Sequence, residues 1–377
     1  MKKSIFPLVV FAVLSAMLTI SSCSNDNELA NGTSFVREPV KFGVGLSKIP
    51  VTRATTWSTG TPTTWATSAK SIGNFFASGD KVAIITFDDT QTTSTVTRGF
   101  VYETSAASGS ASAATALAPV TAGSGNQAYW SSSTETKKII AWSYGTSTAI
   151  TNPETVPTTF TVTADQSDDS FNEELLWGFL SLAYTDKGTA ANYDIPMYHQ
   201  LALVNVNITA TDATEISACY FGRNLTSTTT GGVMKLDGTF APPFAASATY
   251  PTGWVLPTTA GNYTDYTGSW SNQGSTTTGY ITPRRTASGS TGTGGKDKTA
   301  SYSAVVMPCD YTSSSLTLFE ITVDGITYKY IPATATFAAG NVYTYDVTVG
   351  PETLTVTASI KNWNDGGTTS GLNAVLD

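Results

Sequence analysis

The chain has 377 residues, and 28 Asp and Glu against 20 Lys and Arg leave a formal charge of −8. Charged residues make up only 13%, with no basic stripe to meet phosphates, which argues against a nucleic-acid partner. With 17 Tyr, 16 Phe and 8 Trp, the chain carries the aromatic material of β-sheet cores and is not globally disordered.

Lys2 and Lys3 precede a mostly apolar run from Ile5 to Ile20, which reads as a targeting segment over residues 1–22. The run is short for a membrane-spanning helix. Ile20-Ser21-Ser22-Cys23 resembles the lipobox of bacterial lipoproteins, in which the cysteine is lipidated and becomes the new N-terminus. Cleavage there would leave 355 residues (377 − 23 + 1), long enough for two domains, anchored in a bilayer by acyl chains. Residues 23–36 are polar, carry Asp26 and Glu28, and read as a tether.

Val40, Phe42, Val44 and Leu46 then alternate with Lys41, Gly43, Gly45 and Ser47, the period-two signal of a half-buried strand. The apolar phase slips by one at Ile49 and Val51, ahead of Thr52-Arg53-Ala54. Further strands are expected at Lys81–Phe87, Thr97–Glu103 and Lys138–Tyr144, with a long Ala/Ser/Gly-rich loop from Ser105 to Gly125. Tyr198 to Thr209 alternates with Ala202, Val204, Val206 and Ile208 on one face, and a domain boundary is expected at 210–215. In the second half, Leu316–Val323 and Ile326–Ile331 flank Asp324-Gly325, the signature of a type I′ hairpin. Tyr343–Val349 and Leu354–Ile360 alternate again, and Leu372, Ala374 and Leu376 hint at a short terminal strand. No segment has a helical period. The reading is all-β, in two sandwich domains over 37–210 and 211–377.

Candidate chemistry fails on inspection. Gly289 to Thr299 is glycine-rich, but Ser290 and Asp297 stand where a phosphate loop needs Gly and Ser or Thr. Asp168, Asp169, Glu173 and Glu174 crowd into one turn, which fits a solvated acidic loop better than paired catalytic carboxylates. His199, the one histidine, lacks a nucleophile elbow, and with two cysteines it cannot form a structural zinc site. No catalytic residue, cofactor or metal site is therefore assigned. Cys219 and Cys309 remain after Cys23, and an exported compartment permits a disulfide between them. Trp142 and Trp177 lie in apolar runs and read as core; Trp57, Trp65, Trp254 and Trp270 fall in loop-like regions where flat rings can stack on sugars.

Several stretches together resemble the fimbrillin-like family of Bacteroidetes. They are the lipobox at Cys23, the strand ending in Thr52-Arg53-Ala54, Leu175-Leu176-Trp177, and Tyr198-His199-Gln200-Leu201-Ala202. Val305-Val306-Met307-Pro308, the run from Phe337 to Tyr345, and Ile360 to Gly366 continue the series in order. The resemblance implies two tandem transthyretin-like β-sandwich domains in a non-enzymatic fimbrial subunit exported as an outer-membrane lipoprotein. It also implies a cut by an arginine-specific protease between Arg53 and Ala54, which releases the first strand and opens a groove for a strand from a neighbouring subunit. Host or glycan ligands are candidate partners of such a surface subunit. The alternative reading is a monomeric surface lipoprotein that keeps its first strand and binds glycans through exposed aromatic residues.

Overall fold

The computed structural model describes residues 37–46, 79–88, 93–94, 98–105, 115–121, 125–144, 150–167, 175–188, 193–211, 215–225, 230–243, 254–255, 267–290, 297–311, 317–350, 353–362 and 370–372. Among them the regular structure is β-strand, apart from a single 3-10 turn at Tyr184–Asp186. The all-β expectation holds.

Up to His199, and apart from the short strands Thr93–Ser94 and Thr159–Thr161, seven strands form one sheet: β1 (Gly43–Leu46), β2 (Lys81–Asp88), β3 (Arg98–Thr104), β4 (Thr115–Pro119), β5 (Thr136–Ser143), β6 (Leu176–Ala183) and β7 (Asp194–His199). They close into a barrel in the order β1-β4-β3-β2-β5-β6-β7. In the stretch read as a sandwich domain over 37–210, closure comes from β1, which pairs antiparallel with β4 on one side and parallel with β7 on the other. The strand β4 is itself a departure, since the sequence between Ser105 and Gly125 reads as loop. Thr-Ala-Leu-Ala-Pro has little intrinsic strand preference, and its backbone is extended by the neighbours it pairs with.

Downstream follow β8 (Ala202–Ala210), β9 (Ile216–Phe221), β10 (Arg284–Ser290), β11 (Asp297–Val306), β12 (Phe319–Val323), β13 (Ile326–Tyr330), β14 (Asn341–Val349), β15 (Leu354–Asn362) and β16 (Ser370–Leu372). Six form one sheet in the order β10-β11-β8-β14-β15-β16, and β9-β12-β13 form another. The run read as one strand over 198–209 is thus two: β7 belongs to the barrel and β8 lies between β11 and β14. The chain changes sheet at Gln200-Leu201, ahead of the boundary expected at 210–215.

The β12–β13 hairpin forms where Asp324-Gly325 places it, with positive φ at both (48° and 79°), as a type I′ turn requires. Gly289–Thr299 connects β10 to β11, Ser290 pairing with Asp297, so its ends are hairpin ladder. On the outer face of β8, Asn205 and Asn207 accept bonds from Ser303 and Ser301 at 2.7 and 2.8 Å, and Asn207 donates to Asp346 at 2.8 Å. The inner face carries apolar Val204, Val206 and Ile208. Strands β2 and β5 are buried on both faces: Ala83, Ile85, Phe87, Ile140 and Trp142 join a core continuous with β8, β11, β12 and β14. Val82, Ile84, Ile139 and Ala141 occupy the opposite faces and are also fully buried.

Candidate functional site

The site is the slot filled by β1. Four residues of β1 pair with β7, from Gly43 opposite Asp194 to Leu46 opposite Met197, whereas only Gly43 and Val44 pair with β4. Leu117 donates its amide to Phe42 at 2.9 Å, and Gly43 donates to Tyr193 at 3.0 Å. Just upstream, Val40 donates to Ala128 and Trp130 donates to Glu38, both at 2.9 Å. The alternation places Val40, Phe42 and Val44 on one side, all buried, while Lys41 is exposed. Phe42 meets Tyr102 edge-on at 5.3 Å between centroids. The Tyr102 hydroxyl accepts from the Ala128 amide at 3.0 Å, and burial pushes its pKa up to about 12, so it stays a neutral part of the wall.

Outside the slot a polar latch holds the same segment. The Glu38 carboxylate pairs with the Lys187 ammonium and accepts from the Tyr184 hydroxyl at 3.2 Å. Lys187 also lies 4.0 Å from the centre of the Tyr184 ring, and Trp130 meets that ring edge-on at 5.5 Å. The bond from Lys187 holds the Glu38 carboxyl below its ordinary value of 4.5, and the same bond raises Lys187. A carboxylate with a lowered pKa stabilises the folded state above its ordinary pKa, and that contribution disappears as pH falls through the lowered value. Glu38→Ala is therefore expected to lower the urea midpoint at pH 7. The difference from wild type should shrink at an acidic pH low enough to protonate the carboxylate. An equal difference at both pH values would refute the latch.

Of the residues singled out by sequence, Cys23, Arg53, Ala54, Trp57, Trp65 and the acidic turn from Asp168 to Glu174 lie outside the described residues. Cys219 on β9 and Cys309 are buried free thiols rather than a disulfide. Burial raises both pKa values, that of Cys309 to about 11, so neither is a ready nucleophile. His199 is buried at the end of β7, and Trp142 and Trp177 are core, as read. Trp254 lies in a two-residue strand paired with Thr93–Ser94. Trp270 is half-buried, its indole N–H donating to the Gln200 carbonyl at 2.7 Å. Sequence reasoning missed Glu38, Lys187 and β4. The first two are ordinary surface residue types, far apart in sequence, with no pattern to join them.

No group of three or more potential metal ligands occurs among the described residues, and no helix among them is long and apolar enough to cross a membrane. What the slot offers is backbone donors and acceptors on β4 and β7 flanking an apolar floor, the requirements for accepting a strand.

Comparison with known proteins agrees with this architecture. A candidate cell adhesion protein from Bacteroides ovatus superposes with a TM-score of 0.50 at 13% identity, covering 87% of this chain and 99% of its own. A second from Bacteroides uniformis gives 0.47 at 14% identity, covering 86% and 98%. The C-terminally truncated tip fimbrial protein of Porphyromonas gingivalis gives 0.39 at 10% identity, covering 86% and 100%. No curated protein sequence matches the chain. The fimbrillin-like family model matches residues 52–363, so the chain belongs to the fimbrillin-like family, a structural or adhesion subunit of cell-surface fimbriae rather than an enzyme.

Proposed function

We propose that the chain is exported as an outer-membrane lipoprotein acylated at Cys23 and assembles by protease-triggered strand exchange. An arginine-specific protease cuts between Arg53 and Ala54, the segment carrying β1 leaves, and a strand donated by a neighbouring fimbrial subunit takes its place. A head-to-tail contact of this kind does not close on itself, so it propagates as a filament that supports adhesion. The observation that carries the reading is the position of β1. It is the piece whose pairing with β4 and β7 closes the barrel, and the chain leaves it toward the one arginine that separates it from the Thr-rich stretch. Arg53 lies downstream of the strand to be lost, at the second residue of the stretch that matches the family.

The test is electrophoresis of unboiled surface extracts from the native bacterium. Wild-type chain should give a ladder of subunits whose N-terminus is Ala54, and Arg53→Ala should give monomer only. A ladder that survives in Arg53→Ala, or assembled material beginning at Cys23, would defeat the proposal.

A further inference from the structure

The strongest feature outside the β1 slot is a cleft of about 730 Å³ beside Trp270. That volume falls in the range of small-molecule sites. It opens between the strand Ser269–Ser271, the strand Cys309–Tyr311 with its partner Ala335–Phe337, and the start of β14. Six side chains decide what it can take: Lys235, Trp270, Gln273, Asp310, Thr336 and Asn341. One cation and one carboxylate make the lining neutral overall. Gln273 donates its amide N–H to Pro308 at 3.1 Å, which fixes the side chain. No described residue satisfies its amide oxygen, the Asp310 carboxylate, the Thr336 hydroxyl or the Asn341 amide.

Trp270 is held rigidly behind these groups. Its N–H is bonded to Gln200, its ring lies 5.0 Å from Phe240 and 6.2 Å from Phe160, and a Cβ on Gly238 would come within 3.1 Å of it. Gln200 is itself fixed, donating to Tyr198 at 2.9 Å and accepting from Gly268 at 2.7 Å. A ring already immobilised loses little freedom on binding.

The lining excludes three ligand classes. An apolar ligand would strand the amides and the carboxylate without partners. An anion would meet one lysine and be opposed by Asp310. A metal ion would find no group of three ligands among the described residues. A sugar satisfies both halves of the site: its C–H face stacks on an indole, and its hydroxyls donate to a carboxylate or amide oxygen and accept from an amide or ammonium. We propose that this cleft binds a neutral carbohydrate. None of its lining residues pairs with β1, so binding does not depend on the fate of that strand.

The full chain, purified in detergent, should be applied to an immobilised panel of neutral hexose, fucose and N-acetylhexosamine oligosaccharides. Sialylated and sulfated glycans serve as counter-probes. The best oligosaccharide is then titrated in solution. Asp310→Asn and Asn341→Ala are each expected to weaken binding about tenfold with unchanged melting midpoints, and Trp270→Ala to abolish it. Because the indole also packs internally, Trp270→Phe serves as the folded control and should weaken binding less than alanine does. Arg53→Ala should bind as wild type does, whatever its effect on assembly. The proposal falls if no neutral glycan is retained, if only anionic glycans are, or if Asp310→Asn and Asn341→Ala both bind undiminished.

Discussion

A chain cut after Arg53 and separated from its N-terminal piece is expected to stop behaving as a monodisperse monomer. Loss of β1 uncovers the ladder edges of β4 and β7 and the apolar floor that Val40, Phe42 and Val44 cover. Three buried apolar side chains at about 1.5–3 kcal/mol each represent roughly 5–9 kcal/mol of gross burial. That is comparable with the whole net stability of a typical domain, about 5–15 kcal/mol. An unpaired edge beside an exposed core is a template for any extended chain. The cut chain should therefore self-associate in light scattering and unfold at a lower urea concentration than the uncut chain. A synthetic peptide of residues 37–53 added in trans should restore the monomer. The same peptide with Phe42→Ala removes a side chain packed on Tyr102. A buried Phe→Ala change costs about 3–5 kcal/mol, so this peptide should compete at least a hundredfold less well. A cut chain that stays monomeric with an unchanged unfolding midpoint would show that β1 is dispensable, and strand exchange would lose its driving force.

The elements legible in the sequence are those whose signal is local. The alternation from Val40 to Leu46 is a property of four consecutive apolar–polar pairs, and Asp324-Gly325 needs only its own backbone to specify a turn. The family motifs were legible for the same reason, since each is a short string in a fixed order. What failed is what depends on partners. Thr115–Pro119 becomes a strand through β1 and β3, and nothing in Ala-Leu-Ala announces it. Gln200 is a buried polar residue at the junction of β7 and β8, next to the continuous apolar run Leu201–Val204. Its buried side chain donates to the Tyr198 carbonyl and accepts from the Gly268 amide, while its backbone amide donates to Leu175. Cys219 and Cys309 could be paired on paper because spacing says nothing about which strands carry them.

The same blindness covers Arg223 and Glu320, and here the expected cost is large. Glu320 on β12 is 1% exposed; among the described residues its one charge partner is the Arg223 Nε at 3.4 Å, and its second oxygen accepts no bond. The guanidinium is held in place by stacking over Tyr220 at 4.1 Å, with Tyr280 at 5.9 Å. Arg223→Ala leaves a carboxylate in the core with no opposite charge, which costs about 3–5 kcal/mol. The pair itself is worth far less, because desolvating both ions offsets most of their attraction. Arg223→Met combined with Glu320→Leu should therefore recover most of that loss, although each single change is harmful. Arg223→Lys keeps the charge but loses the planar stack and the fixed fork, and should fall between wild type and alanine. The contrast is Lys81–Glu103, whose side chains are 25% and 37% exposed. Breaking that pair with Lys81→Ala should cost at most about 1 kcal/mol. Urea denaturation of the five proteins, wild type included, ranks these values. If Arg223→Ala proves no worse than Lys81→Ala, water reaches Glu320, and β12 does not seal the core as its burial implies.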